Sequence, residues 1–211
     1  MFKPDIYYLK KSFLENMLYN FFDEKFIKIY NLSKCYNIPT LELETALFLR
    51  SMVIAKKPYK ILELGCGAGA STYILNYNSN VKIDAVDSNK IRIELAKKNI
   101  ENEKNISFYH QLAEDFIAGC TEKYDFVFID TIKKEYEKIW YMLQKNLSEN
   151  ATVVFDDFLF YGYFFYDECE IPEKYVSAVK SLKDFYNVVK NNFNAYQLLP
   201  VGNGVLIVNK G

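Results

Sequence analysis

The chain has 211 residues, half of them hydrophobic, with 26 basic and 27 acidic side chains and a formal net charge of −1. That length suits one ample domain, and the composition excludes a disordered, collagen-like or tail-dominated chain. The near-neutral balance, with Arg50 and Arg92 the only arginines, argues against a strongly basic nucleic-acid surface and leaves few bidentate phosphate contacts.

Residues 1–11 carry no signal-peptide core, and no apolar run reaches membrane-spanning length, so a cytoplasmic protein is expected. Apolar Phe13, Met17, Phe21, Ile27 and Tyr30 recur at helical spacing and predict a helix from about Ser12 to Tyr36. Ile38-Pro39-Thr40 breaks it. A second helix runs to about Ala55, and Pro58 ends it. From there short apolar strands alternate with helices. Tyr59–Leu64 is strand, Ser71–Tyr77 helix, Val81–Val86 strand, and Ser88 caps a helix through Ile100. Ile106–Tyr109 is strand, Ala113–Ala118 a short helix, Asp125–Ile129 strand and Lys133–Leu147 helix. Ala151–Phe155 is strand, Pro172–Asn191 helix, and strands follow at Tyr196–Leu199 and Gly204–Val208.

Such alternation implies right-handed crossovers and a mostly parallel sheet covered on both faces. The connection Pro200-Val201-Gly202-Asn203 is too short for a crossover, so the last two strands form an antiparallel hairpin. The fold class read from this is an α/β Rossmann-like αβα sandwich. Residues 1–57 form helices that pack on the core and contribute to a substrate or dimer face. Residues 58–211 form the core of what is a single domain overall.

In such sheets ligands bind beyond the carboxyl ends of the strands. Four of these ends carry glycine or acid: Glu63–Gly69, Asp87, Asp130 and Asp156-Asp157. The turn Gly65-Cys66-Gly67-Ala68-Gly69 allows a ligand close to the backbone, and Asp87 follows at a suitable distance to accept from ribose hydroxyls. The plain alternative is a tight strand-to-helix turn. Neither a dinucleotide fingerprint nor a G-K-[ST] phosphate loop is present, so an adenosine without pyrophosphate fits best. Asp130, Asp156 and Asp157 would repel one another unless a cation such as Mg²⁺ joined them, although either of the last two could simply cap the next segment. Lys133, three residues after Asp130, is either a base or oxyanion partner, or a solvated lysine. The single histidine, His110, has no evident acid or nucleophile beside it. Cys35, Cys66, Cys120 and Cys169 form no C-x-x-C pair and read as reduced thiols.

From about Ile38 onward the chain resembles the S-adenosylmethionine-dependent, metal-dependent O-methyltransferases of the catechol and caffeoyl-CoA type, in their bacterial branch. The resemblance is carried by Ile61-Leu62-Glu63-Leu64-Gly65-Cys66-Gly67-Ala68-Gly69-Ala70-Ser71 and by Phe126-Val127-Phe128-Ile129-Asp130 with Lys133 and Tyr136. Val153-Val154-Phe155-Asp156-Asp157 and Leu199-Pro200-Val201-Gly202-Asn203-Gly204 complete it. It implies that Glu63, Gly65 and Ser71 hold the methionine end of the cofactor and that Gly67 and Gly69 also bind it. Asp87 would hold the ribose, and Ala113 with Glu114 would lie near the adenine. Asp130, Asp156 and Asp157 would be the metal ligands, with Asp130 also beside the cofactor, and Lys133 the catalytic lysine. Asp157 stands where the family usually has Asn, Ala70 where it has an aromatic, and Asn203 where bacterial members carry an acid. The implied acceptor is a small hydroxylated, catechol-like molecule chelated through vicinal oxygens. The alternative is tRNA carrying 5-hydroxyuridine at the wobble position, against which the acidic run Asp167-Glu168-Cys169-Glu170 argues. A homodimer is expected. From other classes come a catalytically inactive cofactor-binding scaffold, motivated by the three departures, and a nucleotide-binding oxidoreductase.

Overall fold

The structure, a computed structural model, describes residues 12, 13, 17, 20–77 and 81–210. The reading of residues 1–11 and much of the first expected helix lie outside the described residues. Residues 20 and 21 are helical, but the expected continuous helix is interrupted at Phe22-Asp23. Asp23 is extended (ψ 167°) and accepts from the Phe26 amide at 2.9 Å, so it opens a new helix, α1, at Glu24–Cys35. α2 spans Leu43–Lys56 and ends in left-handed Lys57 (φ 50°), just before Pro58.

Seven strands follow: β1 Lys60–Leu64, β2 Lys82–Asp87, β3 Ile106–His110, β4 Tyr124–Ile129, β5 Leu147–Phe155, β6 Tyr196–Leu199 and β7 Val205–Asn209. Between them lie α3 Ala70–Leu75, α4 Lys90–Asn99, α5 Ala113–Gly119, α6 Tyr136–Leu143 and α7 Glu173–Asn192. The cap of α4 is Asn89 rather than Ser88, because the Asn89 side chain reaches the Ile91 and Arg92 amides. The helix expected over Lys133–Leu147 is in fact a 3₁₀ turn (Lys133–Glu135), α6, and a second 3₁₀ turn (Gln144–Asn146).

Strand order is β3-β2-β1-β4-β5-β7-β6, with β7 antiparallel to both β5 and β6 and the other pairings parallel. The order in which strands are added reverses between the parallel neighbours β1 and β4, which opens a crevice at their carboxyl ends. Alternate strand residues feed two cores. Ile61, Ile83, Phe126, Phe128 and Val154 pack with α1 to α4, while Leu62, Val127, Val153 and Phe155 pack with α5 to α7. The expected three-layer architecture is therefore present, and its N-terminal helices α1 and α2 join the first of these cores.

Candidate functional site

A cavity of about 440 Å³ lies over the crevice. Its walls include Gly65 and Gly67 after β1, Asp87 at the end of β2, Asp130 and Lys133 after β4, and Asp156 and Asp157 after β5. The approach of β1 to β4 is intimate. Gly65 has φ +94°, and a Cβ on it would stand 2.0 Å from the Asp130 carbonyl oxygen. Only glycine gives that backbone both its conformation and its clearance.

Asp87 first organises the turn. Its Oδ2 accepts from the Gly67 amide at 3.0 Å and its Oδ1 from the Asn89 amide at 2.8 Å. Glu63 lies fully buried at the end of β1 and accepts from the Thr72 hydroxyl at 2.6 Å. Its other oxygen, Oε1, has no partner, and neither do the buried hydroxyls of cavity-lining Thr40 and Thr131. Burial pushes the Glu63 carboxyl up to about 7; hydrogen bonds from Ser71 and Thr72 oppose this, and the charges of Asp87 and Asp130 add to it. Thr40 and Thr131 border the cavity, whereas Glu63 lines neither it nor the recess beside it.

On the opposite wall, Lys133 Nζ sits 2.7 Å from Asp130 Oδ1 and 3.4 Å from Asp157 Oδ2, and donates to the Tyr136 hydroxyl at 2.9 Å. The Tyr136 hydroxyl in turn donates to the Asp156 carbonyl at 2.8 Å. Burial alone would lower the Lys133 ammonium's pKa. Tyr136, Asp130 and Asp157 outweigh burial and hold it well above the ordinary lysine value. Lys133 is therefore a buried ammonium that donates hydrogen bonds, not the solvated lysine of the alternative reading. Asp156 is 1% exposed, and its Oδ1 accepts from the Asp157 amide at 2.8 Å, with the Thr45 hydroxyl at 3.4 Å. Burial, then the charges of Asp130 and Asp157, push its carboxyl well above the usual range.

Three carboxylates thus share one wall, and one ammonium bridges two of them. Among the described residues no group of three potential ligands already has metal spacing. The donor chemistry nevertheless fits a hard divalent cation: Asp130, Asp156 and Asp157 all offer carboxylate oxygens, and their negative charge exceeds what Lys133 neutralises.

The structure brings Gly65, Gly67, Asp87, Ala113, Asp130, Lys133, Asp156 and Asp157 to this cavity. Ser71 lines an adjoining recess with Gly65, Cys66, Gly67 and Asp130. Gly69 lies in neither wall; it turns the chain into α3 at φ +93°. Glu114 also lines neither, since its carboxylate pairs with Lys138. His110 sits exposed with Nε2 3.1 Å from the Ser88 carbonyl, and Cys66 is buried with its thiol pushed up by that burial. Glu42, Arg92 and Tyr161 line the cavity without having been singled out from sequence. Glu42 is marked only as the residue before α2 and Tyr161 only as one aromatic in a run of them. The scarcity of arginine is the one sequence signal that marks Arg92.

A family model described as a methyltransferase domain matches residues 55–202. Malonyl-[acyl-carrier protein] O-methyltransferase 1 of Ilyobacter polytropus is 37% identical over 75 residues, which is 35% of this chain and 27% of that protein. The match thus spans about a quarter of that relative's length. A Staphylococcus aureus protein provisionally assigned as a caffeoyl-CoA O-methyltransferase superposes with a TM-score of 0.87 at 20% identity, over 96% of this chain and 100% of the other. An O-methyltransferase from Bacillus cereus, solved in complex with SAH, gives 0.80 at 19% identity over 96% and 97%. Likeness at these identities is a likeness of fold. The family model reaches from the last turn of α2 to the β6–β7 turn, more than half of the sequence, and the chain belongs to the methyltransferase domain family.

Proposed function

We propose that the chain is an S-adenosylmethionine-dependent O-methyltransferase for a small acceptor that presents two vicinal oxygens to a divalent cation. One observation carries this reading: the glycine turn after β1, next to a buried Glu63 with one unpartnered oxygen, lines the same cavity as three aspartates and a buried ammonium. The SAH-bound Bacillus cereus fold and the SAM complex of TomG from Streptomyces achromogenes, with a TM-score of 0.76 at 16% identity, support the choice of cofactor.

The cofactor supplies an electrophilic methyl group on a sulfonium, and a cation lowers the pKa of an oxygen bound to it. The chain does the rest. Glu63, with one free oxygen, receives the amino group of the methionine portion. The Gly65–Gly69 turn and Ser71 admit that portion close to the backbone, Asp87 accepts from the ribose, and Ala113 borders the adenine end. Asp130, Asp156 and Asp157 would hold the cation. Lys133, an ammonium held by Asp130 and Asp157, would steady negative charge on the acceptor oxygen once its proton has passed to water; that oxygen then forms a bond to the methyl carbon as the carbon–sulfur bond breaks, leaving a neutral thioether. Fixing acceptor and methyl in one small cavity is chiefly a proximity effect. The tRNA alternative is disfavoured by the exposed acids Asp167, Glu168, Glu170 and Glu173, which would repel phosphate.

Calorimetric titration with S-adenosylhomocysteine, with and without Mg²⁺, is the test. Micromolar binding is expected. Asp130→Ala should keep that affinity within about threefold yet lose methyl transfer to a catechol by about a hundredfold or more. Absence of binding by the unmodified chain overturns the reading. Normal turnover by the variant removes Asp130 from the chemistry.

A further inference from the structure

Arg92 occupies the third position of α4, where the Asn89 side chain accepts from its backbone amide at 3.2 Å and from that of Ile91 at 2.9 Å. Its backbone is therefore fixed at the cavity wall. Arg92 lines the cavity together with Val86, Asp87, Gln111 and Leu112, and its Nη1 lies 4.0 Å from Asp87 Oδ2. That gap is too long for a hydrogen bond. Lys133, the other cation in the lining, is already engaged by Asp130, Asp157 and Tyr136. Arg92 donates no hydrogen bond from its side chain to a described residue.

Asp87 is half committed. Each of its oxygens takes one backbone amide, from Gly67 or Asn89, and each keeps one further lone-pair direction. A vicinal diol donating to those two directions would still present hydroxyl oxygens that need donors, since a hydroxyl both gives and accepts. The 4.0 Å gap has the right scale. Two hydrogen bonds of about 2.8 Å meeting at a tetrahedral oxygen place their outer atoms about 4.5 Å apart.

We infer that Arg92 is a cofactor-binding residue whose guanidinium donates to the same ribose hydroxyls that Asp87 accepts from. The sugar is gripped from both sides, by an acceptor and by a planar donor fork. This rests on the cofactor reading proposed above. Arg92 is 36% exposed at its side chain and contributes to binding rather than to folding.

The experiment is calorimetric titration of S-adenosylhomocysteine into the full chain and into Arg92→Met, Arg92→Lys, Asp87→Asn and the double variant Asp87→Asn/Arg92→Met. Arg92→Met should weaken binding about tenfold, with Tm unchanged. Arg92→Lys, which keeps the charge without the fork, should recover only part of that loss. Because both residues hold one diol, the double variant should lose less than the product of the two single losses. An unchanged affinity for Arg92→Met overturns the inference, and so do losses that multiply, which would place Arg92 on another part of the ligand. If the unmodified chain does not bind the ligand, the cofactor reading itself falls and takes this inference with it.

Discussion

Glu63 shows how one buried side chain can set a pH dependence. A carboxyl with a pKa of about 7 in the folded chain, against an ordinary value of 4.5, favours the folded state while protonated. That contribution is complete below about pH 4.5 and is lost as pH rises to about 7, a change on the order of 3 kcal/mol. A ligand ammonium reverses the preference, because it pairs with the ionised form. Affinity for S-adenosylhomocysteine should therefore rise with pH up to about 7 and flatten above it, and Glu63→Gln should remove the slope. Calorimetry between pH 5 and 8 checks both, and a pH-independent affinity in the unmodified chain would take Glu63 out of the ligand's reach. The residues legible from sequence are those at strand ends, Glu63, Asp87, Asp130 and Asp156, because strand ends in a parallel sheet share one edge. Glu42, Arg92 and Tyr161 were not legible. Each reaches the cavity from a helix start or a loop, whose direction depends on packing rather than on period. Nor does spacing show that Asp87 holds the Gly67 amide, or that Glu114 turns away to Lys138.

Among the elements, the β6–β7 turn has the most to do with the site. The Gly202 amide donates to Glu44 of α2 at 2.8 Å. The carbonyls of Asn203 and Gly204 accept from the amides of Leu159 and Phe158, at 2.9 and 2.8 Å. The turn thereby joins α2 to the aromatic segment after Asp157, in which Phe160, Tyr161 and Gly162 all have positive φ. A Cβ at Gly204 would stand 2.6 Å from the Leu159 amide nitrogen and 2.3 Å from its Cγ, whereas a Cβ at Gly162 meets nothing within 4 Å. Both have positive φ, so Gly162→Ala should cost about 1 kcal/mol of backbone strain. Gly204→Ala should cost about 3 kcal/mol or more, because it also displaces Leu159. Thermal unfolding of the two variants checks the contrast, and equal shifts would refute the close approach. The hairpin itself is predictable from the shortness of residues 200–203. Its docking onto Leu159 and Glu44 is not, since those contacts span some 45 and 158 residues of sequence and leave no local pattern. The break at Phe22-Asp23 was missed for a different reason. Helical spacing of apolar residues continues across it, and only the Asp23 cap reveals it.

At the scale of the molecule, the sheet separates two cores, and the second is built around aromatic rings. Trp140 is 1% exposed and meets Phe193 edge-on at 5.1 Å, with Phe155 and Phe185 at 6.3 and 6.5 Å. Trp140→Ala should lower stability by about 3–5 kcal/mol, or roughly 10 °C in Tm for a domain of this size. Denaturant unfolding measures it, and a loss below 1 kcal/mol would mean the layer repacks freely. The alternation of strands and helices made the three layers and their parallel sheet readable, because each apolar run had to be buried on both sides. What the alternation could not show is the order of the last two strands. β7, the later in sequence, is the inner one and pairs Leu206 with Phe155, immediately before Asp156.

That order has a consequence for synthesis. While residues 205–209 are still inside the ribosome, the outer edge of β5 is an unpaired strand of buried apolar residues, Val153, Val154 and Phe155. Asp156 and Asp157, two of the three acids of the cavity wall, follow the end of that strand. Until β7 pairs with it, that edge of β5 is open to pairing with other chains, and the final hairpin closes it.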